Sequence, residues 1–202
     1  MKYDPEKHHR RSIRLKGYDY SQPGGYYVTI VTHNRECLFG SVSDGEMVLN
    51  DAGKMVEKIW KEIPKFYSNF SIDTFQIMPN HLHGILTIVG ADPRVCPNPH
   101  VCPNDIPRAC PDDKQNRQLG QPQGIAPTLS LGDVIKRFKT LTTKLYIDCI
   151  KQNKWRPFNG KLWQRNYWEH IIRNEKDLTQ IREYIINNPV QWELDNENPN
   201  KY

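Results

Sequence analysis

Residues 72–89 read IDTFQIMPNHLHGILTIV, and this stretch sets the fold. Two runs rich in β-branched and aromatic residues, Ile72–Met78 and His83–Val89, flank the turn-forming pair Pro79-Asn80, which reads as two antiparallel strands. Upstream, Tyr26–Thr32 (YYVTIVT) has the same character and reads as a buried strand. Between them, Leu38–Phe39 and Glu46–Leu49 surround the turn-like Ser43-Asp44-Gly45 and suggest a short hairpin. Asn50 or Asp51 then caps a helix predicted to run to about Ile63, with Met55, Val56, Ile59 and Trp60 on its apolar face and Pro64 at its end.

Downstream, Leu131, Val134, Ile135, Phe138, Leu141 and Leu145 recur at helical spacing and predict a helix over 129–149, with Gly132-Asp133 near its start. Residues Leu162–Ile172 (LWQRNYWEHII) read as a strand with its flanks. Asn174 caps a last helix, Glu175–Asn187, which stops before Pro189. The order strand, helix, strand, strand, helix, strand, helix predicts an α+β class. The architecture expected is a ferredoxin-like antiparallel sheet with helices on one face and an extra C-terminal helix.

One stretch departs from this pattern. Residues 90–127 hold more than half of the prolines and three of the five cysteines, and repeat a Cys-Pro unit three times. Such a segment buries little apolar surface and is expected to be a disordered insertion in a single domain spanning 1–202. Cys96, Cys102, Cys110 and His100 lack the close CxxC-type pairing of structural zinc sites.

The chain has 202 residues and a net charge of +5, with 28 Lys and Arg against 23 Asp and Glu. Its N-terminal arm, about 1–20, concentrates that excess. Residues 7–16 carry five Lys or Arg and two His with no acid, a pattern that suits nucleic acid and equally suits a solvated terminus. No apolar run reaches the ~18 residues of a membrane span, none follows the basic terminus as in a secretory signal, and the cysteine number is odd. The expectation is a cytoplasmic, reduced protein that meets no membrane.

Chemistry concentrates at His81-Leu82-His83. Residues i and i+2 of a strand share a face, so the two imidazoles can project together while Leu82 enters the core. Two neutral imidazoles side by side form a divalent-metal site if a third ligand arrives. Alone, the motif would equally describe two half-exposed histidines. On the last helix, Tyr184 and Asn188 are four residues apart and share a face, so a helix laid across the sheet could bring both to the histidines. Read locally, that tyrosine is as well a core residue and the asparagine a helix end.

The blocks RRSIRLKGYDYSQPGGYYVTIVTHNRECLFG (10–40), MPNHLHGIL (78–86), WQRNYWEHIIRNEKDL (163–178) and YIINNPVQW (184–192), in this order, resemble the HUH (His-hydrophobe-His) single-tyrosine transposases. The resemblance is closest to their REP-associated members and covers most of the chain outside 90–127. It implies that His81, His83 and Asn188 hold a magnesium or manganese ion, and that Tyr184 on the catalytic last helix is the nucleophile. The reaction implied is cleavage and transfer of single-stranded DNA through a 5′-phosphotyrosine, on hairpins of repeated extragenic palindromes, by a monomer.

Phosphates could be met by Arg10, Arg11, Arg14, Lys136, Arg137, Lys139, Lys144, Arg165 and Arg173. Tyr167 and Trp168 could stack on unpaired bases, whereas Trp163 reads as core. His170 is a candidate general base that reads equally as structural. Three other readings compete. One is a replication or mobilisation nuclease of the wider HUH class. Another is a ferredoxin-like single-strand binder with aromatics exposed on its central strands, and the last is an inactive transposase relic.

Overall fold

The computed structural model describes residues 14–15, 17–89, 129–152, 154–199 and 201, which form one compact unit. Arg10, Arg11, most of the basic arm and the 90–127 insertion lie outside the described residues. Among the described residues there are six strands: β1 (Gly24–Val31), β2 (Gly40–Ser43), β3 (Glu46–Leu49), β4 (Phe70–Ile77), β5 (His81–Ile88) and β6 (Trp168–Ile172). The helices are α1 (Asp51–Lys61), the single turn α2 (Ile63–Phe66), α3 (Leu131–Lys151) and α4 (Glu175–Asn187). The main sheet has the order β4-β5-β1-β6 with every neighbouring pair antiparallel, the ferredoxin-like arrangement read from the sequence. Strands β2 and β3 form the expected hairpin, turned by Asp44 and Gly45, both with positive φ.

Strand alternation divides the core between two faces. On one, Tyr26, Val28, Ile30, Leu82 and Leu86 pack against Val56 and Trp60 of α1 and Val134 and Phe138 of α3. On the other, Tyr27 and Ile85 meet Ile185 of α4, flanked by Leu178 and Ile181. The central strands are therefore covered on both sides, and β5 is buried almost throughout. Tyr26 and Tyr27 are both buried, so these two do not offer the exposed strand-centre aromatics of a sheet-binding module.

Local boundaries follow local chemistry. Helix α1 ends at Lys61, short of the expected Ile63, because Pro64 fits the first turn of the separate helix α2. Helix α3 starts at Leu131 under Ser130, whose side chain and Asp133 cap one another reciprocally. The strand read over 162–172 shortens to β6. Residues 162–167 bridge to β1 only through Thr32 and Trp163, and the Lys139 ammonium takes the Gln164 and Asn166 carbonyls at 3.0 and 2.8 Å. Those carbonyls are turned toward α3 and so are unavailable to a sheet partner. Trp163 is buried and donates its indole N–H to Thr142, as a core residue.

Strand β5 holds its position through a close contact. A Cβ at Gly84 would lie 2.5 Å from Cζ2 of Trp60, which is fully buried. Gly84→Ala is therefore expected to lower the urea midpoint by the equivalent of ~1–3 kcal/mol, the usual cost of overpacking. An unchanged midpoint would show that α1 and β5 can separate freely.

Candidate metal centre

His81 and His83 open β5 and share the face that α4 covers, with ring centroids 4.4 Å apart. Both are almost completely buried. The orientation of His81 is fixed by Asn80. The Asn80 amide donates from Nδ2 to the carbonyls of Arg35 (3.0 Å) and Glu197 (2.7 Å), so its Oδ1 is the acceptor facing His81 Nδ1 at 2.8 Å. Nδ1 must then carry the proton, which leaves Nε2 with a bare lone pair. Asn34 and Arg35 both take left-handed backbone angles, at φ 56° and 55°, just where the Arg35 carbonyl meets Asn80. His83 Nδ1 lies 2.7 Å from the Tyr27 hydroxyl and 2.9 Å from Thr29 Oγ1.

Of the six buried side-chain atoms without a hydrogen-bond partner among the described residues, three belong to the three ligands expected from the sequence: His81 Nε2, His83 Nε2 and Asn188 Oδ1; the others are the indole nitrogen of Trp60 and the two carboxylate oxygens of Glu169. Leaving a buried polar atom unpaired costs ~1–3 kcal/mol, so a cation shared by such atoms would remove a substantial penalty. Asn188 follows the last turn of α4 and is 1% exposed, and its Nδ2 donates to Asp195 Oδ2 at 3.1 Å. The ligand atoms of His81, His83 and Asp195 all lie within 4.8 Å of one another, a His-His-Asp group that could hold a metal ion.

Asp195 was not legible as a site residue. It follows the 3-10 turn Trp192–Leu194 and its side chain is 4% exposed, with Oδ2 3.9 Å from His81 Nε2. Several bonds anchor this tail. The Glu197 N–H donates to Asp195 Oδ1 at 2.6 Å, and Arg35 Nε donates to Glu197 Oε2 at 2.7 Å. No periodicity marks such a residue; the usable signal is an acid seven positions beyond Asn188, after a proline that turns the chain back.

Tyr184 stands at the rim, 43% exposed, with its ring centroid 5.3 Å from that of His83 and 6.3 Å from that of Tyr27. It faces an open cleft of about 500 Å³ lined by Tyr27, His83, Trp168 and Asp195. Burial, and then the negative charge of Asp195, push the Tyr184 phenol above its ordinary value, while hydrogen bonding to Asn188 and Tyr27 pulls the other way. Burial also keeps the histidines neutral. It holds His81 down at about 4 against the pull of Asp195 and Glu197, and holds His83 well below the usual range with help from His81.

The other sequence candidates separate into groups. Arg14, Lys136, Lys139 and Arg165 line a second cleft of about 470 Å³, which shares Asn166 and Tyr167 with the first. Lys139 is half-buried, and desolvation lowers it to about 8 with a contribution from Arg14. Tyr167 is buried; its hydroxyl accepts from Arg14 at 2.8 Å and its ring lies under that guanidinium. Trp168 is 48% exposed at the metal-side cleft, stacked on His170 with an 8° interplanar angle. Arg137 turns to Phe66, and Lys144 and Arg173 are exposed and line neither cleft. His170 is engaged by Asp177 at 2.9 Å.

No protein-family model matches the chain. An uncharacterised protein of Haemophilus influenzae is 42% identical over 198 residues, covering 96% of each chain. The chain belongs to one family with that protein. A second Haemophilus influenzae protein, described as a putative REP-associated tyrosine transposase, is 23% identical over 86% of this chain and 74% of its own length. Among solved structures, a REP-associated tyrosine transposase bound to a REP hairpin superimposes with a TM-score of 0.50 at 18% identity, covering 89% of this chain and 73% of that one.

The fold is that of a REP-associated tyrosine transposase.

In this transposase fold the histidine pair is buried uncharged, which gives stability a pH dependence. An unfolded chain takes up protons on both histidines below their ordinary value of 6.5, whereas folded His81 resists to about 4. The folded-state values are depressed, so this contribution is complete above about 6.5 and is lost as pH falls toward about 4. Urea midpoints of the chelator-treated protein are expected to fall steadily across that window. A flat profile would show that the pair is not buried in neutral form.

Proposed function

We propose that this protein is a metal-dependent transposase that cleaves and rejoins single-stranded DNA through Tyr184. The observation that carries this reading is the convergence, within one chain, of a rim tyrosine and a buried histidine pair whose Nε2 atoms have no hydrogen-bond partner. The fold shared with a REP-associated tyrosine transposase, and the weaker sequence likeness to a second, support a transposase function.

In this reading His81, His83 and Asn188 hold a divalent ion. Imidazole suits manganese, and magnesium is the more abundant alternative. The bound ion would neutralise charge on the scissile phosphate and orient it. The Tyr184 oxygen then attacks phosphorus in line. The Oη–P bond forms, the P–O3′ bond breaks, the phenol loses its proton and the departing 3′ oxygen gains one. The product is a 5′-phosphotyrosine with a free 3′-hydroxyl, and attack by the 3′-hydroxyl of another strand reverses the step without ATP.

The substrate proposed is a single-stranded hairpin of the REP type, the ligand named for the solved structure with this fold. Its backbone would run from the metal cleft over Asn166 into the basic cleft of Arg14, Lys136 and Arg165, and an unpaired base would stack on Trp168. Arg10, Arg11, Arg137, Lys144 and Arg173 would add outer phosphate contacts. Lys139 and Tyr167 would act from beneath by holding the loop between the clefts. Tyr184 stands beside the histidines of its own chain, and action as a monomer is proposed with this reading. Among the described residues no helix is long and apolar enough to cross a membrane, and a cytoplasmic location is proposed with this reading.

With a labelled hairpin oligonucleotide and manganese or magnesium, the protein is expected to form an adduct that survives denaturation. Tyr184→Phe removes only the hydroxyl and is expected to abolish the adduct while leaving hairpin affinity within about twofold. Persistence of the adduct in Tyr184→Phe would place the nucleophile elsewhere.

A further inference from the structure

The geometry points to Asp195 as a direct carboxylate ligand of the ion, one that also fixes the Asn188 amide so that its oxygen is left for the metal. This rests on the metal-binding reading of His81 and His83 and extends it to the tail beyond α4.

The first argument is a pair of facing acceptors. Asn80 fixes the proton of His81 on Nδ1, so Nε2 presents a lone pair, and the atom across from it is Asp195 Oδ2 at 3.9 Å. Neither atom carries a hydrogen toward the other, and the gap exceeds a hydrogen bond. It falls within the span of two ligands on one cation, which reaches ~4.2 Å when each lies ~2.1 Å from the ion. The matching atom of His83 completes a cluster within 4.8 Å.

The second argument is burial. A carboxylate side chain 4% exposed is costly unless a positive charge compensates it, and the partners of its oxygens among the described residues, the Glu197 N–H and the Asn188 amide, are both uncharged. The third is orientation. Oδ1 accepts from the Glu197 N–H at 2.6 Å and Oδ2 from Asn188 Nδ2 at 3.1 Å. Ligating carboxylates are characteristically held by such bonds. The second bond also commits the Asn188 nitrogen, so the group left without a partner is the buried Oδ1. With one anionic donor among neutral ones, the protein would hold the ion before DNA arrives.

The test is manganese titration of the DNA-free protein, read as free manganese by electron paramagnetic resonance and as heat by calorimetry. Wild type is expected to bind one ion, and His81→Ala to lose it. Asp195→Asn keeps the shape and an oxygen that can accept from Asn188 but removes the charge. It is expected to weaken binding at least ~10-fold, as is Asp195→Ala, the lower bound for disturbing a ligand shell. Circular dichroism checks that each variant is folded. If Asp195→Asn binds within about twofold of wild type while His81→Ala does not bind, the metal reading stands and the ligand role of Asp195 is overturned. If wild type binds no manganese, both fall.

Discussion

Burial of two neutral imidazoles whose Nε2 atoms have no hydrogen-bond partner is the constraint on which this structure turns. A buried lone pair without a partner is tolerated only where something else repays it. Here the unpaired atoms of His81, His83 and Asn188 belong to residues that the fold holds with care. Asn80 sets one tautomer, Thr29 and Tyr27 contact the other ring, and Asp195 holds the amide. Each of these is a partner on the far side of a proposed ligand's ring or amide, the arrangement that tunes metal ligands in general.

The sheet supplies the geometry. Register pairs His83 with Thr29 and His81 with Val31, so the neighbouring strand delivers its hydroxyl groups to the site while Tyr26, Val28 and Ile30 face the other way. Helix α4 completes the arrangement because Ile185 packs against Tyr27 and Ile85, which sets Tyr184 one residue away at the rim. One apolar contact thus positions both the tyrosine and, a turn later, Asn188. The 164–167 loop extends the surface on the other side, tied down by the half-buried Lys139, which serves two carbonyls.

Much of this was legible in the sequence because it depends on short-range periodicity. The β-branched and aromatic runs Tyr26–Thr32 and His83–Val89, the Asn50 and Asn174 caps and the break at Pro189 gave the strands and helices; the bounds of α4 agree with the structure, whereas β5 starts two residues earlier, at His81. The i, i+2 rule placed both histidines on one face. What stayed hidden depends on distant contacts. The loop over 162–167 reads as strand until Lys139 takes its carbonyls. Asn80 reads as a turn residue until the tail brings up the Glu197 carbonyl. Asp195 lies in a stretch whose path is set by tertiary bonds alone, and Tyr167 looks like a stacking surface until its burial beneath Arg14 is seen.

The most direct measurement is anomalous diffraction from crystals soaked in manganese. The expected result is a single strong peak on the α4 side of β5, ~2.0–2.3 Å from Nε2 of both His81 and His83 and in contact with Asn188 Oδ1. A saturating soak that leaves those atoms without a peak, or places the ion elsewhere, would contradict the account.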